Sequence, residues 1–99
     1  MPYVRFSLMR PMHGQDAHAR ELIDSLVVYY QQQPGFMSGY RLEPADSAGF
    51  IGRMGVWATE ADANAAAQQE HDLALRSRLN FIVSDHHEYS FEGVAPVPV

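Results

Sequence analysis

Residues 35–57 read GFMSGYRLEPADSAGFIGRMGVW. Phe36, Ser38, Tyr40 and Leu42 alternate with Met37, Gly39 and Arg41. Beyond the polar stretch PADSAG, Phe50, Gly52, Met54 and Val56 alternate with Ile51, Arg53, Gly55 and Trp57. A period of two carried by aromatic and branched residues predicts two strands. Pro44, Asp46, Ser47 and Gly49 supply the turn between them. An isolated hairpin is marginal in water, so the apolar side of this one needs a cover from the flanking segments.

Upstream, Tyr3–Met9 alternates again, with Val4, Phe6 and Leu8 on one face and Tyr3, Arg5, Ser7 and Met9 on the other. Pro11 cannot donate to a ladder and should close that strand. From about Gln15 to Gln32 the period changes. Ala19, Leu22, Ile23, Leu26, Val27 and Tyr30 recur at threes and fours, the stripe of an amphipathic helix. Asp16 and Glu21 sit early in it, where negative charge suits the helix dipole. Pro34-Gly35 stops it.

Downstream, Thr59 reads as a helix N-cap with Asp62 three residues on. A helix from about Glu60 follows, Ala-rich at first, which permits close approach to a sheet, with a bend or short break expected near His71. Residues 82–92, IVSDHHEYSFE, read as the last strand, interrupted at Ser84-Asp85. Gly93 and two prolines then end the fold in a frayed tail.

The order is β-α-β-β-α-β, the ferredoxin-like pattern: an α+β fold with a four-stranded antiparallel sheet and two helices on one face. The face away from the helices is then expected to carry Tyr3, Arg5, Ser7, Met9, Arg53 and Trp57, with Arg41 or Tyr40. That set is too apolar to be wet and too polar to be simple core. Two such sheets meeting across a two-fold axis would bury it and leave room for a ligand.

Composition narrows the partners. Ninety-nine residues are expected to make one domain, with a core of about 3–93. There is no cysteine, which removes thiol catalysis and disulfides and favours a cytoplasmic protein. Seven basic against twelve acidic residues give a net charge of -5, with no basic cluster, so neither nucleic acid nor an anionic membrane is an expected partner. No apolar run approaches a membrane span, and MPYVRFSLMRP has no signal-peptide pattern. No flavin, haem or metal motif is visible; His13, His18, His86 and His87 have no metal-ligand spacing, and the glycines form no phosphate loop.

The strand YVRFSLMRP, the helix ending QQQPGFMSGYRL, the third strand closing as GVWATEADANAA, then HDLALRSRL and EYSFEG, together resemble the antibiotic biosynthesis monooxygenase (ABM) domain family of the dimeric α/β-barrel superfamily. The resemblance implies a homodimeric α/β barrel joined through the sheet face. It also implies a cofactor-independent monooxygenase acting on a small aromatic or quinol-type substrate. Alternatives are a non-catalytic ligand-binding or structural dimer, and a haem-binding or haem-degrading protein. The haem-degrading branch has an Asn in the first strand, a Trp in the second helix and a His later in it. Here YVRFSLM holds no Asn, Ala66 stands near the expected Trp, and only His71 lies in the right region.

The candidate catalytic residues are His71 and Arg53. His71, between Glu70 and Asp72, is a base able to take a phenolic proton, or else a surface helix residue. Arg53, on a strand expected to be central, needs an anion: a ligand's, or a carboxylate such as Glu43. Trp57, Arg5, Ser7 and Tyr40 are the candidate substrate-binding residues. Trp57 either stacks on a planar substrate or fills core.

Overall fold

The computed structural model describes residues 1–46 and 49–98. Ser47, part of the expected turn, and Val99, in the tail, lie outside them. The order is β1 (Tyr3–Pro11), α1 (Asp16–Gln31), β2 (Phe36–Leu42), β3 (Ile51–Trp57), α2 (Glu60–Ala67), α3 (Glu70–Ile82) and β4 (Val83–Glu92). The four strands form one antiparallel sheet in the order β2-β3-β1-β4. The ferredoxin-like pattern read from the sequence is present, and β3 and β1 are its central strands.

Two features of the expected fold are corrected. Among the described residues there are three helices, because Gln68 and Gln69 separate α2 from α3, at the break expected near His71. The sheet is also not closed into a barrel. β2 and β4 have one strand neighbour each and remain open edges.

A third correction concerns the faces. The helices cover the side of the sheet that carries Tyr3, Ser7, Met9, Ile51, Arg53 and Trp57. The side with Val4, Phe6 and Leu8, paired in register with Val56, Met54 and Gly52 of β3, has no covering element among the described residues. The set of residues expected between two sheets is therefore under the chain's own helices. Tyr40 is the exception, exposed on the uncovered side opposite Met54.

The physical reasons are local. Leu22, Ile23 and Leu26 of α1 and Leu75 and Leu79 of α3 meet Met9 and Ile51 in the main core. Burying a side chain of that size contributes about 1.5–3 kcal/mol. A second cluster joins Tyr3 and Trp57 to Ala63 and Ala66, whose small side chains let α2 lie close to the strands. Thr59 caps α2 by accepting from the Asp62 amide at 3.1 Å. Gly35 leaves α1 with φ +83°. A β-carbon there would lie 2.2 Å from the Asp62 carboxylate, so both the backbone angle and the space require glycine. The interruption expected at Ser84-Asp85 is a register shift between β1 and β4. Asp85 adopts φ 50°, which a short polar side chain tolerates. Ion pairs Arg20–Glu43, Arg41–Asp24 and Arg41–Glu43 tie α1 to the end of β2.

Candidate functional site

Antiparallel register places Arg53 opposite Ser7 on one side of β1, and Glu88 opposite Ser7 on the other. The three form a row across β3, β1 and β4 on the helix-covered face. Ser7 is the only small side chain of the row, and its size leaves space above it. A cavity of about 50 Å³ lies there, between the sheet and the helices. Its walls include Trp57, Tyr30 and Phe36, and its polar groups are Arg5, Ser7, Arg53, Arg76 and Glu88.

The aromatic wall is held by edge contacts. Tyr30 and Phe36 meet the Trp57 ring at 5.6 and 5.1 Å between centroids, with interplanar angles of 76° and 86°. Such geometry sets the positive edge of one ring against the negative face of another. Trp57 is only 3% exposed.

The polar side is less balanced. Arg53 is 8% exposed. Its Nη2 lies 3.8 Å from Glu88 Oε1, whereas its Nη1 is buried with no hydrogen-bond partner. A buried donor without an acceptor is costly, and the cost of a charged one is higher. Glu88 also accepts a long hydrogen bond from Ser7 Oγ, at 3.3 Å, and has His86 Nε2 at 3.6 Å. Burial, above all, holds the His86 imidazole below the usual histidine range, against the opposing pull of Glu88.

Behind the cavity lies a buried ion pair. Asp72 is fully buried; its Oδ1 accepts from Arg76 Nε one helical turn on, and its Oδ2 has no partner. Arg76 Nη2 donates to the Ala67 carbonyl at 2.8 Å, so one guanidinium closes the C-terminal end of α2 and neutralises the Asp72 carboxylate of α3. Tyr30 lies half-buried near this pair. Its phenol is pushed well above the ordinary tyrosine range, first by burial and further by Asp72, while Arg53 opposes the shift.

Of the six residues singled out from the sequence, Arg53, Trp57, Arg5 and Ser7 come together around this cavity. Arg5 Nη2 donates to the Tyr3 hydroxyl and to Asn64 Oδ1, both at 2.8 Å. His71 does not join them. It is exposed on α3, in a tilted ring contact with Tyr29 at 4.9 Å, in a shallow groove between α1 and α3. Tyr40 lies on the opposite side of the sheet. Glu88, Tyr30, Asp72, Arg76 and Asn64 were missed. Asp72 and Arg76 were legible: with Leu75 and Leu79 they share one face of a 3.6-period helix. Nothing in the strand pattern marks Glu88.

No sequence-family description matches the chain, and no characterised protein matches it in sequence. Solved structures do match in fold. SnoaB, a cofactor-independent oxygenase from Streptomyces nogalater, has a TM-score of 0.80 at 19% identity over all of both chains. Rv0793 from Mycobacterium tuberculosis has a TM-score of 0.86 at 14% identity, over 99% of this chain and 100% of that one. A Nitrosomonas europaea protein, provisionally assigned as an antibiotic biosynthesis monooxygenase, has a TM-score of 0.86 at 18% identity, over 98% of this chain and 94% of that one. The chain thus has the fold of the ABM-like proteins, one of which is a cofactor-independent oxygenase. Among the described residues no helix is long and apolar enough to cross a membrane.

Proposed function

We propose that the protein is a cofactor-independent monooxygenase acting on a small, electron-rich aromatic of the quinol type, bound against Trp57 with its oxygen toward Arg53. The observation that carries this reading is Arg53, which lines a cavity with an aromatic wall and whose buried Nη1 has no hydrogen-bond partner among the described residues. An oxyanion formed on the ligand would satisfy it. A preorganised donor in a dry site is worth far more to a developing charge than the same donor in water. The chemistry then needs no bound group. The ligand loses a hydroxyl proton, its ring anion gives one electron to dioxygen, and the radical pair combines to a peroxide through a new C–O bond; the proton on that carbon then leaves as the O–O bond breaks, which makes a ring carbonyl and releases the second oxygen as water.

Size limits the substrate. A cavity of about 50 Å³ holds a few waters. It is well short of the ~150 Å³ that takes a benzene ring. A ring therefore enters only if a lining side chain moves. Arg5 is held by hydrogen bonds at the protein surface and gives way at least cost. A haem group finds no support in this site, since there is no histidine among the described residues that line the cavity.

The uncovered sheet face supports a homodimer. Phe6 meets Tyr89 in a tilted contact at 5.1 Å and stacks with Phe91 at 5.7 Å, and Met54, Val4 and Val56 extend the patch. An apolar patch of this kind on a small chain marks an interface, and a two-fold axis makes it self-complementary. The absence of cysteine fits a cytoplasmic location.

The second reading is a non-catalytic ligand-binding dimer. It is favoured by the position of His71, which leaves the cavity without the base expected from the sequence. Oxygen uptake with a panel of quinols and anthrones separates the two. Uptake that falls about 100-fold or more in Arg53→Gln supports the oxygenase. No uptake from any of them leaves the ligand-binding reading.

A further inference from the structure

We propose that Glu88 is the group that takes the proton from a phenolic or enolic ligand in this cavity. The inference rests on the cavity being the ligand site, and it supplies the base that His71 does not. It proceeds by the chemistry of the walls. Arg5, Arg53 and Arg76 are protonated at any working pH and accept nothing. Trp57 has no basic atom. Tyr30 is half-buried, and its phenol, held above the ordinary tyrosine range, keeps its own proton. Asp72 is fully buried, is paired with Arg76 and does not line the cavity. Among the described residues lining the cavity, Glu88 alone carries a carboxylate.

Its surroundings suit the task. Ser7 from β1 and Arg53 from β3 hold the carboxylate at 3.3 and 3.8 Å, His86 of β4 stands 3.6 Å away, and Arg76 of α3 faces it from the helix side. Glu88 is half exposed, 51% for its side chain, so a proton taken from the ligand has a path to water. In the step itself the ligand O–H bond breaks and its electron pair stays on the ligand oxygen. The proton forms a new O–H bond on Glu88. The ligand oxygen, now anionic, accepts from Arg53 Nη1. The charge of the site is unchanged, since one carboxylate is lost as one phenolate appears.

The test uses para-nitrophenol as the probe, at a pH where the free dye is mostly the neutral phenol. Absorbance reports whether the bound dye is phenolate, and a weakly buffered solution reports protons released. The wild-type protein should bind the dye as phenolate with no proton released, because the proton stays on Glu88. Glu88→Gln, nearly the same shape at an exposed edge strand, should bind it as neutral phenol or release one proton per dye. A neutral dye on the wild type overturns the proposal. So does a phenolate on Glu88→Gln with no proton released, or no binding at all. Ionisation as expected, with no oxygen uptake from any quinol, leaves Glu88 as the acceptor and rejects the oxygenase.

Discussion

Arg53 and Glu88 meet over Ser7. They stand on β3 and β4, strands that do not touch, and Arg53 Nη2 still reaches to 3.8 Å from Glu88 Oε1 because the residue between them on β1 is a serine. The cavity, the buried cation and the carboxylate at its mouth all depend on that small side chain.

Replacing Ser7 is accordingly expected to close the site. In Ser7→Leu the branched side chain should fill the space and part Arg53 from Glu88. Overpacking of this kind costs about 1–3 kcal/mol. Binding of para-nitrophenol should be lost while the unfolding free energy from urea titration falls only by that amount. Dye binding unchanged in Ser7→Leu would show that the ligand sits elsewhere.

Trp57 is the single tryptophan of the chain, and it is shielded by α1 and α2 of its own protomer. Its emission should be blue-shifted and poorly quenched by acrylamide whether the protein is dimeric or dissociated. Trp57→Ala should destabilise by about 3–5 kcal/mol, read from denaturant unfolding. Quenching that rises steeply on dilution would instead place the ring at a subunit contact.

Asp72 and Arg76 should show the asymmetry of a buried ion pair. Arg76→Met leaves a fully buried carboxylate with no counter-charge and is expected to cost about 3–5 kcal/mol. The double variant Asp72→Leu with Arg76→Met should recover much of that loss. Additive losses in the two single variants, measured as a double-mutant cycle, would mean the pair does not act as one.

Two pH effects follow from burial. The Tyr30 phenol is raised in the folded chain, so its contribution is fully present below about 10, the ordinary tyrosine value, and is lost only as the pH rises toward its folded value. Ultraviolet titration should find one tyrosine that ionises only on alkaline unfolding, and Tyr30→Phe should remove that step. His86 is shifted the other way. Its contribution is present above the ordinary histidine value of about 6.5 and falls as the pH drops through the depressed folded value. His86→Gln should flatten the stability profile in that acid range.

The uncovered face gives the fifth expectation. Phe91 is 52% exposed and stacks on Phe6. Phe91→Asp should leave folding almost unchanged, within about 0.5 kcal/mol as for other surface changes, and should shift the sedimentation of the protein from dimer toward monomer. A wild-type protein that sediments as a monomer at high concentration would remove the homodimer.

What could be read from residues alone divides along physical lines. Helix α1 was legible to within a residue or so, because a stripe at 3.6 spacing and the Pro34-Gly35 stop are local signals. So were the Thr59 cap, the break before His71 and the strands, each written in neighbouring residues. Gly52 carries no signal of its own in the alternation; in the structure a β-carbon there would meet the Ser7 carbonyl oxygen at 1.9 Å, so the close approach of β1 requires glycine. The position of His71 was not legible, since in the broken second helix its neighbours on both sides are charged.

The sequence by itself determined the order of elements, their approximate ends and hence the ferredoxin-like topology, because hydrophobic period, caps and stops act over a few residues. The tertiary structure alone decided which side of the sheet the helices cover. On β1 both sides are apolar enough to be core, Val4, Phe6 and Leu8 against Tyr3, Ser7 and Met9, so alternation names two faces without ranking them. The choice is made by long-range packing, where the alanines of α2 fit against Tyr3 and Trp57 and the leucines of α3 against Met9 and Ile51. That choice turns Arg53 inward and brings it beside Glu88, two residues 35 positions apart in the chain that only the shared pairing with Ser7 unites.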